Sequence, residues 1–347
     1  MSPFNQNLQG VSDCLYRIRH EPTISPFRFI NATGGLLFGY DIGATSVVLT
    51  QLQDADYSGV MWYQTVADST ILQGLITSSG VIGALIGSII IFAIADDIGR
   101  KNTMLIAACF YFIGAIFEAA SGASDASEST GLSLFFTGSI IYGFGCGFAM
   151  HGAPAYIGEM APSAIRGLLV SLKEGFVVLG MVFGYSIGYG FDSVVGGWRY
   201  TYAIQAVFAS IFFAGVWNLP FSARWLALKG RNDEARESLK FVTPGISELE
   251  CQEVYDMAEE ARRINEEANA AIDMDRGDPP TLERWSRVLQ RDYKQFNQPA
   301  VKAALTAGIG VVVFQQITGQ PSVLYYANTL FEAIGVSGAA SIGVSLF

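Results

Sequence analysis

Two adjacent glutamines late in the chain carry the groups that a many-hydroxylated ligand needs. Gln315 and Gln316 stand inside the apolar run 300–331, just before Gly319 and Pro321. An amide both donates and accepts hydrogen bonds, as a polyol or sugar does. A helix broken at membrane depth is tolerated only beside protein or a watery cavity. We therefore predict a substrate site at this break, although amides that merely join neighbouring helices are the alternative. The polar side chains after the break belong to the same prediction: Ser322, Tyr325 and Tyr326.

Charged side chains also lie within other apolar runs. Asp41 is about 20 Å along a helix from Arg28, at about 1.5 Å per residue. A carboxylate at such depth costs about 2.5–3.5 kcal/mol on insertion scales and usually faces a water-filled path. We predict that Asp41 exchanges protons; the alternative is a protonated carboxyl that only bonds a neighbouring helix. The adjacent opposite charges of Lys173 and Glu174 inside an apolar run indicate the wall of a polar cavity. We predict that Glu174 is turned toward the substrate.

Further charges cluster where apolar runs meet one face of the membrane. Asp96 and Arg100 lie in the turn after the second run. Glu159 and Arg166 flank the turn after the fourth run, and their spacing predicts that they pair across it. Such pairs favour one conformation by charge complementarity, although an exposed pair contributes little by itself.

The composition and the apolar runs indicate an all-α, polytopic membrane protein. Hydrophobic residues make up 51% of the 347 residues and charged residues 15%, and the mean hydropathy is +0.35. About 20 apolar residues span a bilayer. We predict seven spans and an eighth that begins near residue 337. The spans are 27–52, 71–95, 103–120, 132–157, 168–191, 201–219 and 300–331.

The basic residues orient the spans. All but one of the 21 lysines and arginines lie on one predicted side of the membrane or lean toward it, and Arg199 is the exception. Cytoplasmic loops carry the excess of Lys and Arg. We therefore predict a multi-pass membrane protein with a cytoplasmic N-terminus. We expect it in the plasma membrane, and a vacuolar or plastid membrane is the alternative.

Several classes of function are excluded by what the sequence lacks. It has no basic cluster of the kind that binds nucleic acid. The four cysteines have no ligand spacing, so we expect neither a metal nor another cofactor. With two histidines and no nucleophile–base pair, an enzyme is not expected. The expected partners are a small polyol and the lipid bilayer.

Taken together, the motifs resemble the sugar porters of the major facilitator superfamily from Gly34 to the C-terminal end. Each motif is weak by itself, but their joint order is specific. The motif residues are Gly39, Tyr40 and Asp41; Asp96, Gly99, Arg100 and Lys101; Pro154, Glu159, Pro162, Arg166 and Gly167; Gly197, Trp198 and Arg199; Pro220, Ser222, Arg224, Trp225 and Leu226; and Gln315, Gln316, Gly319, Tyr325 and Tyr326.

The resemblance implies a major facilitator fold, in which two six-helix bundles rock around a monosaccharide bound between them. Its domains would be a cytoplasmic tail (1–26), the N-terminal bundle (27–220), a cytoplasmic helical linker (221–298) and the start of the second bundle (299–347). We therefore expect the sequence to be the N-terminal part of a longer carrier. An inactive fragment and a non-transporting sugar sensor of the same fold are the alternatives.

The resemblance also implies roles for individual residues. Gln315, Gln316 and Glu174 would bind the sugar, with Ser322 lying beside them. Tyr325 and Tyr326 would form the outer gate, and Asp41 would carry a proton. The residues of the cytoplasmic gate would be Asp96, Arg100, Glu159, Arg166 and Arg224.

The chain departs from the family at two of these positions. Proton-coupled members have an arginine where this chain has Ser139, and Glu174 replaces a glutamine. Without this cation, nothing lowers the pKa of Asp41 so that it releases its proton, unless His151 or Lys173 supplies the positive charge. Facilitative and proton-coupled transport therefore both remain open at this point.

Overall fold

Seven long helices form the framework of the part of the chain that the structure describes. The computed structural model describes residues 24–122, 127–161, 163–242 and 299–333, with a few residues between 252 and 263. Within them the chain is helical and has no strand. The long helices are α1 (Ile24–Gln51), α2 (Thr70–Ile98), α3 (Arg100–Ala120), α4 (Glu128–Met160), α5 (Ser163–Gly190), α6 (Trp198–Trp217) and α7 (Pro299–Ile317). The predicted tail 1–26 lies almost wholly outside the described residues, as do most of the linker and the eighth span.

Short helices connect or extend the long ones. They are Tyr63–Asp68 before α2, Ala223–Leu228 and Asn232–Val242 after α6, and Gln320–Tyr325 and Ala327–Ala333 after α7. Among the described helices, α2, α3, α4, α6 and the Leu169–Gly190 part of α5 are long and apolar enough to cross a membrane. The prediction of a polytopic, all-α membrane protein is therefore confirmed.

Gly99 makes the sharp turn between α2 and α3. Its φ is +85°, a left-handed value that disfavours a side chain. Its N–H donates to the carbonyl of Ala95 (2.9 Å) and closes the end of α2. A Cβ at this position would also lie 2.8 Å from the ring of Trp225. The turn thus brings the start of α3 against the short helix Ala223–Leu228.

Glycines let the helices of the bundle approach backbone to backbone. A Cβ at Gly143 of α4 would collide with the carbonyl of Gly80 on α2. A Cβ at Gly184 of α5 would collide in the same way with the carbonyl of Tyr40 on α1. Small residues make such contacts because association within a membrane depends on close packing rather than on hydrophobic burial. As a result, α4 packs on α2 and α3, while α1 packs on α5 and α6.

Large apolar side chains cover the outside of the bundle. On α2 the exposed side chains include Leu85 and Ile89, and on α6 they include Val207 and Ile211. Such a surface is suited to lipid tails, since hydrocarbon does not penalise exposed aliphatic groups. Polar side chains such as Glu118 and Gln205 are instead buried inside the bundle.

Candidate functional site

Asp41 of α1 faces the middle of α6. Its Oδ1 accepts a hydrogen bond from Nε2 of Gln205 (3.4 Å). Gln205 is 0% exposed, and its Oε1 has no partner among the described side chains. Because amide and carboxylate come from helices far apart in sequence, the packing of α1 on α6 creates this pair. The amide N–H of Gln205 donates to the carboxyl group of Asp41 but carries no positive charge that would hold it ionised.

A second acid, Glu118 of α3, lies buried against α4. Its side chain is 1% exposed, and its Oε1 accepts a hydrogen bond from the hydroxyl of Ser139 (2.8 Å). Gly138 permits the contact, since a Cβ there would lie 2.8 Å from the amide nitrogen of Glu118. Ser139 therefore has a defined role in this chain as the hydroxyl donor to a buried carboxyl group.

The predicted break in the last described span is present. Gly319 has φ +71°, in the left-handed region, and separates α7 from the helix Gln320–Tyr325. Gln315 and Gln316 are exposed on the last turn of α7. Nε2 of Gln315 donates across the break to Oε1 of Gln320 (2.6 Å), so the two amides hold the kink together. Gln316 makes no such side-chain bond within the described residues and keeps its amide available.

The segment after the break docks on the six-helix bundle. The hydroxyl of Tyr326 lies 3.3 Å from the hydroxyl oxygen of Thr77 on α2. On α5, Tyr185 donates its hydroxyl to the carbonyl of Leu324 (2.7 Å). Asn328 donates from Nδ2 to the hydroxyl oxygen of Thr50 on α1 (2.8 Å). These contacts, which the sequence did not indicate, bring both predicted gate tyrosines to one end of the bundle.

The other predicted substrate residues are more dispersed. Tyr325 is 8% exposed, whereas Ser322 is exposed. Glu174 pairs with Lys173 (Nζ to Oε1 2.8 Å), and its side chain is 66% exposed. Within the described residues, no hydrogen bond joins Glu174 to Gln315 or Gln316. A common role for them in sugar binding stays a prediction.

An ion-pair cluster ties helix ends together at the predicted cytoplasmic face. Nε of Arg100 donates to Oε1 of Glu159 (2.8 Å), and its Nη1 donates to Oδ1 of Asp96 (2.7 Å). The side chains of Arg100 and Glu159 are 14% and 11% exposed, whereas that of Asp96 is 71% exposed. Ser222 donates its hydroxyl to Oε2 of Glu159, and Trp225 donates its indole N–H to the carbonyl of Asp96 (2.9 Å). We call Asp96, Arg100, Glu159 and Ser222 the cytoplasmic cluster.

The partner predicted for Glu159 is wrong. Glu159 is paired with Arg100, while Nη2 of Arg166 donates to the carbonyl of Ala161 (3.3 Å). The reason is the packing of α3 on α4, which places the first residue of α3 beside the last turn of α4. Arg166 and Arg224 are both exposed and stand outside the cytoplasmic cluster. Gate functions for them stay predictions.

In the described parts of the chain, no three or more His, Cys, Asp or Glu side chains are grouped so that they could hold a metal ion. The polar groups of the bundle are carboxyl, amide and hydroxyl groups together with the buried ammonium group of Lys173. Gln205 is the functional candidate that sequence reasoning missed, although an amide in the middle of an apolar span was a usable signal.

The chain was compared with known proteins. A family model described as sugar (and other) transporter matches residues 27–347. D-xylose-proton symporter-like 3, chloroplastic, of Arabidopsis thaliana is 41% identical over 335 residues, which make up 95% of this chain and 56% of that protein. Probable inositol transporter 2 of the same plant is 31% identical over 326 residues, covering 94% of this chain and 50% of that protein.

A solved structure supports the same architecture. The xylose transporter XylE from E. coli, in a partially occluded inward-open conformation, has a TM-score of 0.66 at 24% identity. The likeness covers 93% of this chain and 69% of that chain, and at this identity it concerns the fold. The chain thus spans a little over half the length of the xylose symporter-like relatives, at 56% and 58%.

Proposed function

The chain belongs to the sugar transporter family, and from this premise we propose that it forms the N-terminal part of a carrier that moves a monosaccharide across a membrane by alternating access. The observation that carries the proposal is the broken α7. Its glutamines stand at a left-handed glycine, and the segment that follows is hydrogen-bonded to three helices of the bundle. Broken helices beside a bundle interface are typical substrate sites of secondary transporters.

In this proposal Gln315 and Gln316 hold sugar hydroxyls, and Glu174 accepts a hydrogen bond from another. Tyr325 and Tyr326 close the site on the outer side, and Ser322 lines it. The relatives are named for xylose and inositol, which share several adjacent hydroxyls with hexoses. We therefore propose a substrate of this size and chemistry.

The test is saturable uptake by the full-length protein reconstituted in vesicles, with xylose, glucose and inositol as substrates. Gln316→Ala removes an amide that has no side-chain partner in the described structure. Losing one hydrogen bond to substrate, worth about 0.5–1.5 kcal/mol, is expected to raise KM by about 2- to 13-fold. Gln252→Ala is the matched control, since Gln252 is exposed in the segment after α6 and hydrogen-bonds only to Asp256 among the described residues. Undiminished affinity in the Gln316 variant would refute the site assignment.

We further propose that Asp41 couples transport to protons. It lies in the bundle and is hydrogen-bonded by a neutral amide, which leaves the acid able to gain or lose a proton. Asp41→Asn is expected to abolish the response of uptake to a pH gradient while exchange of labelled for unlabelled sugar continues. Uptake by the unaltered protein that ignores the gradient would favour facilitated diffusion.

Orientation and location complete the proposal. The distribution of Lys and Arg supports a cytoplasmic N-terminus. We take the plasma membrane as the site of function, and the relative named chloroplastic supplies the alternative. A fluorescent fusion at the N-terminus, imaged with and without an impermeant quencher, tests both statements. Signal in a plastid envelope would contradict the plasma-membrane assignment.

A further inference from the structure

Glu118 is a buried carboxyl group for which the transport proposal has no use. It is 1% exposed, and a serine hydroxyl is the one described hydrogen-bond donor to its side chain. Its Oε2 has no partner among the described residues. A buried, ionised carboxylate is costly unless it is paired with a cation or fully hydrogen-bonded. This site therefore stabilises the neutral, protonated form of the side chain.

Gly80 lies beside both Asp41 and Ser139, the residue that donates to Glu118. An ideal Cβ built on Gly80 would lie 3.6 Å from Oδ2 of Asp41 and 3.8 Å from the carbonyl oxygen of Ser139. The hydroxyl of the same serine donates to Glu118. On the far side of Asp41, the buried Oε1 of Gln205 also has no described partner. Partly satisfied polar atoms thus run from α3 through α4 and α1 to α6.

The surroundings contain further weak acids and no described cation. Asp41 from α1, Tyr142 from α4 and Tyr202 from α6 lie close enough to Glu118 to interact with it electrostatically. Within the described residues, neither Glu118 nor Asp41 takes part in an ion pair. Two neighbouring carboxylates without a cation repel each other, so a proton held between them lowers their energy.

We propose that Glu118 is a second proton-binding residue of the carrier and that it shares protons with Asp41 beside Gly80. Protons enter from water at Asp41, which is half-buried, and reach Glu118, which is fully buried. Each transfer moves one proton between oxygen atoms and changes no other bond. The proposal rests on the proposed transport function and extends its proton site to two acids.

Infrared spectroscopy of the purified full-length protein tests the proton directly, without relying on transport. The C=O stretch of a protonated carboxylic acid is absent from ionised carboxylates and from amides. Glu118→Gln keeps the shape and the acceptor for Ser139, and it is expected to lose one such band. Glu128→Gln is the matched control, because Glu128 also accepts from a hydroxyl, that of Thr65 (2.7 Å), but is exposed.

A second variant keeps this measurement decisive if the first folds poorly. Ser139→Ala removes the hydroxyl donor and retains the acid, so the band is expected to persist at a shifted frequency. A spectrum of Glu118→Gln that matches the unaltered protein at every pH would overturn the proposal, and so would a band that Ser139→Ala leaves unshifted.

Transport measurements separate this inference from the proposed function. Each proton that moves with sugar supports about tenfold accumulation per unit of pH gradient. In this proposal each of the two acids carries one proton with the sugar, so Glu118→Gln is expected to lower the limiting accumulation about tenfold at one pH unit, while sugar exchange at equal pH is retained. If the unaltered protein shows no exchange of labelled for unlabelled sugar, the proposed transport function itself is refuted. If Glu118→Gln retains sugar exchange and responds to the pH gradient as the unaltered protein does, the role of Glu118 is refuted. A response of uptake by the unaltered protein to sodium in place of protons would refute it as well.

Discussion

Replacing Glu159 by glutamine should loosen the cytoplasmic end of the bundle. Glu159 lies between α3 and the short helix Ala223–Leu228, because its two oxygens accept from Arg100 and from Ser222. Glu159→Gln preserves the shape but removes the charge. Its amide oxygen can replace one acceptor, whereas its NH2 group must face the other donor.

The expected magnitude follows from the burial of this pair. The side chains of Arg100 and Glu159 are 14% and 11% exposed, so solvent screens them little. Hydrogen bonds to a charged group contribute about 1.5–3 kcal/mol, against about 0.5–1.5 for neutral ones. A loss of about 1.5 kcal/mol is expected, which corresponds to about tenfold faster opening. The remaining charged partner of Arg100, Asp96, is 71% exposed and compensates little.

Hydrogen-exchange mass spectrometry on the full-length protein measures this opening. Amides at the start of α3 and in the helix Ala223–Leu228 should exchange about tenfold faster in Glu159→Gln. Asp97→Asn is the control, since Asp97 and Lys229 are 3.9 Å apart with side chains 64% and 43% exposed. Its effect should stay below about threefold. Equal effects of the two substitutions, or no effect of Glu159→Gln, would refute the reasoning.

Two further predictions concern packing and pH. Gly143→Val should destabilise the bundle by about 3 kcal/mol, because the new side chain is overpacked against the backbone of Gly80. The melting temperature of this variant should therefore fall. Gly74→Val is the control and should leave the melting temperature nearly unchanged, since a Cβ at Gly74 meets no atom within 4 Å. Burial, and then the charge of Asp54, raise the pKa of Asp192 above its ordinary value, so stability is lost as pH rises through the raised pKa. Asp192→Asn should therefore raise the melting temperature at neutral pH, with a gain that vanishes toward about pH 3.9; a gain that is the same at every pH would contradict this cause.

The spans could be predicted from sequence because their signal is local. The second span, predicted at 71–95, is the helix Thr70–Ile98. The break in α7 was equally readable, since a glycine and a proline inside an apolar run act on their own backbone. Both predictions need only the neighbouring residues and the thickness of a bilayer.

Contacts between distant helices could not be predicted in the same way. Glu159 was expected to pair with Arg166, its neighbour in sequence, but it pairs with Arg100, 59 residues away. Asp41 meets Gln205 across 164 residues. Which side chains face each other depends on how each helix is rotated against the next. Here that rotation follows from where glycines allow backbones to touch, and the positions of those glycines do not reveal their partners.

The described polar groups divide by the kind of partner they have. The acids of the cytoplasmic cluster face a cation at helix ends, where Arg100 and Glu159 hold three segments together. Acids that face neutral donors lie inside the bundle, where Asp41 meets an amide and Glu118 meets a hydroxyl. A cation keeps its partner ionised and so fixes a contact, whereas a neutral donor leaves the acid able to take up or release a proton. The same carboxyl chemistry thus holds helix ends together where the partner is a cation, and we propose that it serves proton exchange where the partner is a neutral donor.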